Sequence, residues 1–180
     1  MITIYIGKSA SGKDTFLRRA VAAGAKPIVS YTTRPIREGE RDGVDYNFVS
    51  IAQFEELERT GEIIESRFYD TSVAGKQERW YYGSPKVDPT KDEYVVVLDV
   101  AGAMYYIEQY GSQNLNICLL IVPNDIREER AKKRGSFDQT EWDRRLKDDE
   151  LKFSDEAIAS LEKKYGRQVW KINNTKGEEQ

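Results

Sequence analysis

Histidine is absent from this 180-residue chain, and cysteine occurs once, at Cys118. Without histidine, Ser-His-Asp and Cys-His hydrolysis and histidine-ligated zinc or haem are excluded. A single cysteine can make neither an internal disulfide nor a thiolate cluster. Its place in the apolar run Ile117–Val122 reads as a buried structural thiol rather than a reactive one. Long hydrophobic runs are missing too. None approaches the roughly 20 residues that span a bilayer, and the longest, Tyr94–Val100, suits a buried strand. The opening Met1–Ile6 runs straight into Gly7 without the cationic and apolar regions of a signal peptide. The expectation is a cytoplasmic protein with no membrane partner. Its chemistry must rest on carboxylates, lysine, arginine, hydroxyls, backbone amides and a hard cation.

What is present is a chain with 39% hydrophobic and 33% charged residues, enough for one packed domain with a strongly solvated surface. The net charge of −3 does not suggest a general polyanion binder. Residues 1–50, however, hold eight Lys/Arg against five Asp/Glu, a local +3 that leaves −6 on the remainder. A basic first quarter in an acidic protein favours a compact anion such as a phosphate over nucleic acid.

The apolar pattern alternates between short β-branched runs and helical spacings. Ile2–Ile6 reads as a strand. Asp14–Ala23 reads as a helix, with Phe16, Leu17, Ala20 and Val21 three or four apart and Gly24 as its stop. Pro27–Val29, Tyr94–Asp99, Asn116–Val122 and Gln168–Ile172 read as further strands, and Gly102–Tyr110, Asp125–Arg134 and Ser154–Tyr165 as helices, with Asn124 a plausible N-cap. This order implies an α/β fold with a parallel sheet core, residues 1–29 and 91–180. Residues 30–90 break the alternation with Tyr46–Val49, a helix near Ala52–Thr60, Ile63–Phe68 and Trp80–Tyr82, and read as an inserted α+β lobe. Gly135–Gln139, a polar excursion between two helices, suits a small lid over about 134–145.

Gly7-Lys8-Ser9-Ala10-Ser11-Gly12-Lys13-Asp14-Thr15 follows a strand and opens a helix, and matches G-x-x-x-x-G-K up to its last position. Small residues let successive backbone N–H groups curl around a phosphate, the helix points its positive end at it, and Lys13 adds a mobile cation for the β- and γ-phosphates. Asp14 stands where Ser or Thr ligates Mg²⁺ in that pattern. Three arrangements stay open: direct ligation by Asp14, ligation through water, or Thr15 taking over the task.

After the second strand comes Ser30-Tyr31-Thr32-Thr33-Arg34-Pro35-Ile36-Arg37-Glu38-Gly39-Glu40, then Gly43-Val44-Asp45-Tyr46-Asn47-Phe48. Hydroxyls and two arginines three apart make either an oxyanion clamp or a solvated loop in which Glu38, Glu40 and Asp42 pair with those arginines. This block resembles the guanylate kinase family pattern S-x-[ST]-T-R-x-P-R-x-G-E-x-x-G-x-D-Y-x-F, with the proline one place early at Pro35. The resemblance runs on through Gly61–Glu65, Tyr81-Tyr82-Gly83-Ser84, Asp99–Gly102, Arg130–Gly135 and Arg145-Leu146. It covers nearly the whole chain in order and marks a divergent, short member. Val97 has lost one family carboxylate, and the stretch Phe68–Arg79 is longer than the usual connection.

The resemblance implies a P-loop NTPase fold in which residues 30–90 bind a nucleoside monophosphate. It implies that Ser30, Arg34, Arg37, Tyr46 and Tyr82 grip the GMP phosphate, that Glu65 accepts from guanine N1–H and the 2-amino group, and that Ser84 reads the O6/N7 edge. Asp99 is similar to the acid near Mg²⁺ and the acceptor, whereas Phe68, Trp80 and Tyr81 read as packing residues. Arg127, Arg130 and Arg134 share one helical face. Arg130, Arg134 and Arg145 match the lid motif and are expected to act on the migrating phosphoryl group together with Lys13 and Arg34, while Arg127 and Arg144 are expected on a solvated face. The expected activity is Mg²⁺-dependent transfer from ATP to GMP or dGMP, in a monomer or homodimer. The alternatives are a kinase for another (deoxy)nucleoside monophosphate, or a non-catalytic guanylate-kinase-like binding module.

Overall fold

The computed structural model of the chain describes residues 1–37, 39–73, 76–133 and 137–175. Its first part holds β1 (Ile2–Gly7), α1 (Lys13–Ala22), β2 (Lys26–Pro27), β3 (Tyr31–Thr32), β4 (Asn47–Phe48) and α2 (Ile51–Arg59). Then follow β5 (Ile63–Val73), β6 (Lys76–Pro85), β7 (Tyr94–Val97), α3 (Val100–Tyr110) and β8 (Leu115–Ile121). The last elements are α4 (Asn124–Lys133), α5 (Gln139–Lys152), α6 (Asp155–Tyr165) and β9 (Trp170–Asn173). Two compact units share these elements: residues 28–88 form one, and the chain before and after them forms the other.

In the larger unit β1 is the central strand of a five-stranded parallel sheet, order β2-β7-β1-β8-β9. Ile2, Ile4 and Ile6 alternate along β1 and are fully buried with Val95, Leu115 and Ile117 of its neighbours, as a strand hydrogen-bonded on both sides and covered by helices requires. Tyr5 points to the opposite face, where its ring meets Phe16 of α1 at 5.5 Å. The fully buried Tyr106 of α3 and Leu161 of α6 extend this core, and the Tyr165 hydroxyl donates to the Leu115 carbonyl at 2.8 Å. Cys118 lies half-buried inside β8, where burial pushes its thiol up.

Strand β2 is shorter than the apolar run Pro27–Val29 suggests. It pairs with β7 only through Lys26 and Pro27, at the sheet edge where a proline lacking N–H is tolerated. Asn124 is the first residue of α4 rather than its cap; its Oδ1 instead accepts from Arg127 Nη2 at 2.6 Å.

The smaller unit is a four-stranded sheet, order β4-β3-β6-β5, with β5 and β6 forming one long antiparallel hairpin. Sequence showed only its two ends, because the intervening residues are polar on both faces. Cross-strand pairs hold it instead: Arg79 donates to both Asp70 oxygens at 2.6 and 2.9 Å, and its guanidinium sits 4.1 Å from the Phe68 ring centroid. Phe68 packs in this way while remaining 54% exposed. Helix α2 is closed by a Ser50/Gln53 capping box and buries Phe54 against Tyr81, ring centroids 5.6 Å apart. A Cβ on Gly83 would lie 3.0 Å from the tip of the Phe54 ring, so glycine is what lets that ring lie against β6.

Candidate functional site

Between β1 and α1 the chain makes the turn that its glycines permit. Gly12 has φ +90° and Ala10, unusually for a residue with a side chain, has φ +57°. Gly12 precedes α1 without a side-chain cap, so the first amides of the helix keep their anion-seeking character. Lys13 Nζ folds back to donate to the carbonyls of Gly7 and Lys8 at 2.8 and 3.0 Å. Lys8 Nζ pairs with Glu150 at 2.9 Å. Ser11 is buried, and its Oγ has no hydrogen-bond partner among the described residues. Asp14 is exposed in the first turn of α1, followed by Thr15, whose Oγ1 accepts from Arg18 at 3.2 Å.

The arginines of α4 and α5 separate into different environments. Arg130 donates to the carbonyl of Asn174 at 2.9 Å, and its Nη1 lies 3.9 Å from where a Gly12 Cβ would stand. Arg145, with Ser9, Ala10, Ala131, Asp138 and Trp142, lines a cavity of about 110 Å³ beside the loop. Arg134 lies outside the described residues, as do Gly135 and Ser136. Arg144 is exposed, as expected, and pairs with Glu141. Arg127 is not on a solvated face: it is fully buried, and Nη1 pairs with Asp149 at 2.9 Å. The reason is that α4 has almost no apolar stripe, so the face it turns inward must carry charge, and that charge finds a carboxylate. Asp149 and Asn174, whose Nδ2 donates to the Ser11 carbonyl at 2.9 Å, also escaped sequence reading. The lack of an apolar face on α4 was the one available signal.

Glu141 receives both Arg144 and Arg145, and these two guanidinium groups hold its carboxyl down at about 2, well below the ordinary 4.5. A carboxyl depressed in the fold contributes stability that is fully present above 4.5 and is lost as pH falls towards 2. Glu141→Gln is expected to flatten the pH dependence of the melting temperature across that window, leaving its slope above pH 5 unchanged. An acid limb identical to that of the parent protein would disprove the pairing.

In the smaller unit, Tyr82 and Ser84 alternate with Tyr81 and Gly83 and so face away from α2. Directly across the hairpin, Arg67 opposes Tyr82 and Glu65 opposes Ser84. A register shift between Ile63 and Glu65 lets Ile63 pack towards Phe54 and Gly83 while Glu65 turns to the opposite face. There Glu65 is only 8% exposed, ion-paired with Arg67 and 3.4 Å from the Ser84 hydroxyl. Ser30 precedes β3, and its carbonyl accepts from Asn47. Arg34 is 4% exposed, lies 5.4 and 5.6 Å from the Tyr46 and Phe48 ring centroids, and donates to both Glu40 oxygens at 3.0 and 2.8 Å. That pair, with the Arg37 amide, keeps Glu40 ionised below its ordinary range against the opposing effect of burial. The Arg37 side chain is exposed. Tyr46 and Tyr82 meet edge to face at 5.8 Å. The unit therefore collects the buried Glu65 carboxylate, the Ser84 hydroxyl, Tyr46, Tyr82 and the three arginines Arg34, Arg37 and Arg67 around one small sheet.

Asp99 caps α3, its Oδ1 accepting from Gly102 N–H at 2.9 Å, and its Oδ2 stands 4.0 Å from Lys152. Among the described residues no three His, Cys, Asp or Glu groups form a metal-holding cluster. Asp14, exposed in the first turn of α1, and Asp99 offer carboxylate oxygens, the donors that hard divalent cations take.

A five-stranded parallel sheet whose central strand ends in a glycine-rich loop and helix defines an α/β protein of the P-loop nucleotide-binding class. The comparisons narrow the class. The guanylate kinase family model matches residues 2–136. The guanylate kinase of Chlorobium luteolum is 32% identical over 152 residues, spanning 81% of this chain and 73% of that protein. That of Gloeobacter violaceus is 34% identical over 154 residues, 81% and 70% respectively. The crystal structure of guanylate kinase from Anaplasma phagocytophilum shares the fold, with a TM-score of 0.60 at 24% identity over 98% of this chain and 77% of that one. The chain belongs to the guanylate kinase family.

Proposed function

We propose that the protein transfers the γ-phosphoryl group of ATP to GMP, giving ADP and GDP. The observation that carries this reading is the buried Glu65 carboxylate set opposite Ser84 on the face of β5–β6 turned away from α2, in the same small unit as the Arg34 and Arg37 guanidinium groups. A carboxylate accepts from two adjacent donors, which guanine presents at N1 and its 2-amino group and adenine does not. Ser30, Arg34, Arg37, Tyr46 and Tyr82 grip the acceptor phosphate, for which guanidinium forks and hydroxyls are the natural partners. Ser84 reads the other edge of the base.

On the donor side, Gly7–Thr15 cradles the ATP phosphates with backbone amides and the Lys13 ammonium. Phosphoryl transfer asks little covalent chemistry of a protein; rate comes from alignment and from positive charge on the migrating group. Lys13, Arg130, Arg134 and Arg145 supply that charge. Mg²⁺ on the phosphates would further neutralise them, held by Asp14 with Thr15 beside it and by Asp99 through water.

The test is kcat/KM for GMP, dGMP, AMP, CMP, UMP and dTMP with ATP in an ADP-release assay. GMP is expected to lead the panel. A pyrimidine or AMP in first place would reassign the substrate, and no turnover with any of them would make the chain a binding module.

A further inference from the structure

One residue of the phosphate loop is held on every side by two helices. Ser9 N–H donates to Asp149 Oδ2 at 2.8 Å, its carbonyl accepts from Arg127 Nη1 at 3.0 Å, and its hydroxyl lies 3.3 Å from Asp149 Oδ1. Arg127 Nη1 also donates to Asp149 Oδ2 at 2.9 Å, and Nη2 to Asn124 Oδ1 at 2.6 Å. Arg127 is 0% and Asp149 6% exposed. Arg127 Nε has no hydrogen-bond partner among the described residues.

As a device for stability this arrangement is poor. Desolvating two charges costs more than their attraction reliably returns, and an apolar pair of similar volume often fills such a space as well or better. An apolar pair cannot, however, hold the N–H and the C=O of Ser9 together. The next residue is Ala10, whose φ of +57° is a conformation that a residue with a Cβ keeps only when its surroundings impose it. On the far side, Ser11 N–H donates to Lys8 O at 3.2 Å and the Ser11 carbonyl is held by Asn174. Ala10 is thus clamped from both flanks, and the amides of the loop converge on an anion only while this turn is kept.

We infer that Arg127 and Asp149 are positioning residues for the donor nucleotide: the pair acts through the Ser9 backbone to hold the loop in its phosphate-binding turn. The inference rests on reading Gly7–Thr15 as the ATP loop. It also ties that loop to the helices that carry Arg130 and Arg145, since Arg127 precedes Arg130 by one turn of α4 and Asp149 follows Arg145 by one turn of α5.

The experiment compares the parent protein with Arg127→Met/Asp149→Leu, Asp149→Asn and Arg127→Lys. Its readouts are thermal unfolding and the Kd values of ATP and GMP by calorimetry. The double substitution removes both charges, so its melting temperature is expected close to that of the parent, while its Kd for ATP rises about 10- to 100-fold, as misplaced groups cost, and its Kd for GMP stays put. Arg127→Lys keeps the charge without the fork and is expected to weaken ATP in the same direction, which covers the case in which the double variant does not fold. Parent-like ATP binding in the double variant or in Arg127→Lys would overturn the inference and make the pair a packing feature. Tighter ATP binding in Asp149→Asn would overturn it in another way, by showing the carboxylate to compete with phosphate for the Ser9 amide. Because the ATP Kd is read without acceptor, failure of GMP as substrate leaves this test intact. Failure of the parent protein to bind ATP would overturn the loop reading itself.

Discussion

Lys13→Ala is expected to lower kcat for GMP phosphorylation by at least about a hundredfold, the scale on which removing one charge-stabilising donor from an active site acts. The ammonium is the only cation inside the loop motif whose stem starts at the first turn of α1, and it is anchored at rest by the carbonyls of Gly7 and Lys8. In the transition state of phosphoryl transfer, negative charge spreads over the migrating group, and a positioned cation matters more there than in the ground state. The loss therefore falls on kcat. The GMP Kd should be unaffected, because Lys13 and the acceptor residues belong to different units of the chain. Steady-state ADP release and GMP calorimetry on the same preparation measure both. Turnover unchanged in Lys13→Ala would remove the phosphate loop from the mechanism.

The parallel core was legible because its signals are local. Ile2, Ile4 and Ile6 bury themselves along one strand, Gly7 and Gly12 bracket a turn with known chemistry, and Ser154 caps its helix as the sequence suggests. The hairpin β5–β6 was less so. Its middle residues carry no period of two, and their pairing depends on partners about ten residues away in the chain, such as Asp70 with Arg79. The bulge that re-aims Glu65 leaves only a weak mark: Glu62-Ile63-Ile64-Glu65 interrupts the alternation with two adjacent isoleucines but does not say which residue is the extra one.

The candidate site divides along the same line. Within contiguous motifs, Lys13 could be named from the spacing of its loop, and Arg34 from the resemblance of its block to the guanylate kinase pattern. Residues that act on the loop from a distance could not: Asp149 lies 140 positions from Ser9 and Asn174 lies 163 from Ser11. Arg127 was misjudged because helical spacing tells which residues share a face without saying what covers it. The fully buried guanidinium shows that the face is covered by Asp149 and by the ring of Trp142, 5.8 Å away.

Base selectivity should rest on Glu65. Glu65 is only 8% exposed, and when adenine enters, the carboxylate lone pairs that Arg67 and Ser84 do not engage face an acceptor instead of a donor. That costs about 1–3 kcal/mol or more, which converts to roughly ten- to several-hundredfold discrimination. Glu65→Gln keeps the volume but exchanges one acceptor oxygen for a donor, so it should raise the KM for GMP and erode the GMP/AMP ratio of kcat/KM by that factor. Arg67, which is 28% exposed, can turn to solvent once its partner is neutral, so the fold should tolerate the change. Arg37→Ala is the matched control: with the phosphate grip proposed for its exposed side chain, which is blind to the base, both monophosphates should weaken alike and the ratio should hold. Measured side by side, the two variants separate base reading from phosphate grip. A ratio untouched by Glu65→Gln would move guanine recognition elsewhere on the hairpin, where the same face carries Arg67, Tyr69 and Trp80 beside Tyr82, and would leave the kinase assignment to stand on the loop alone.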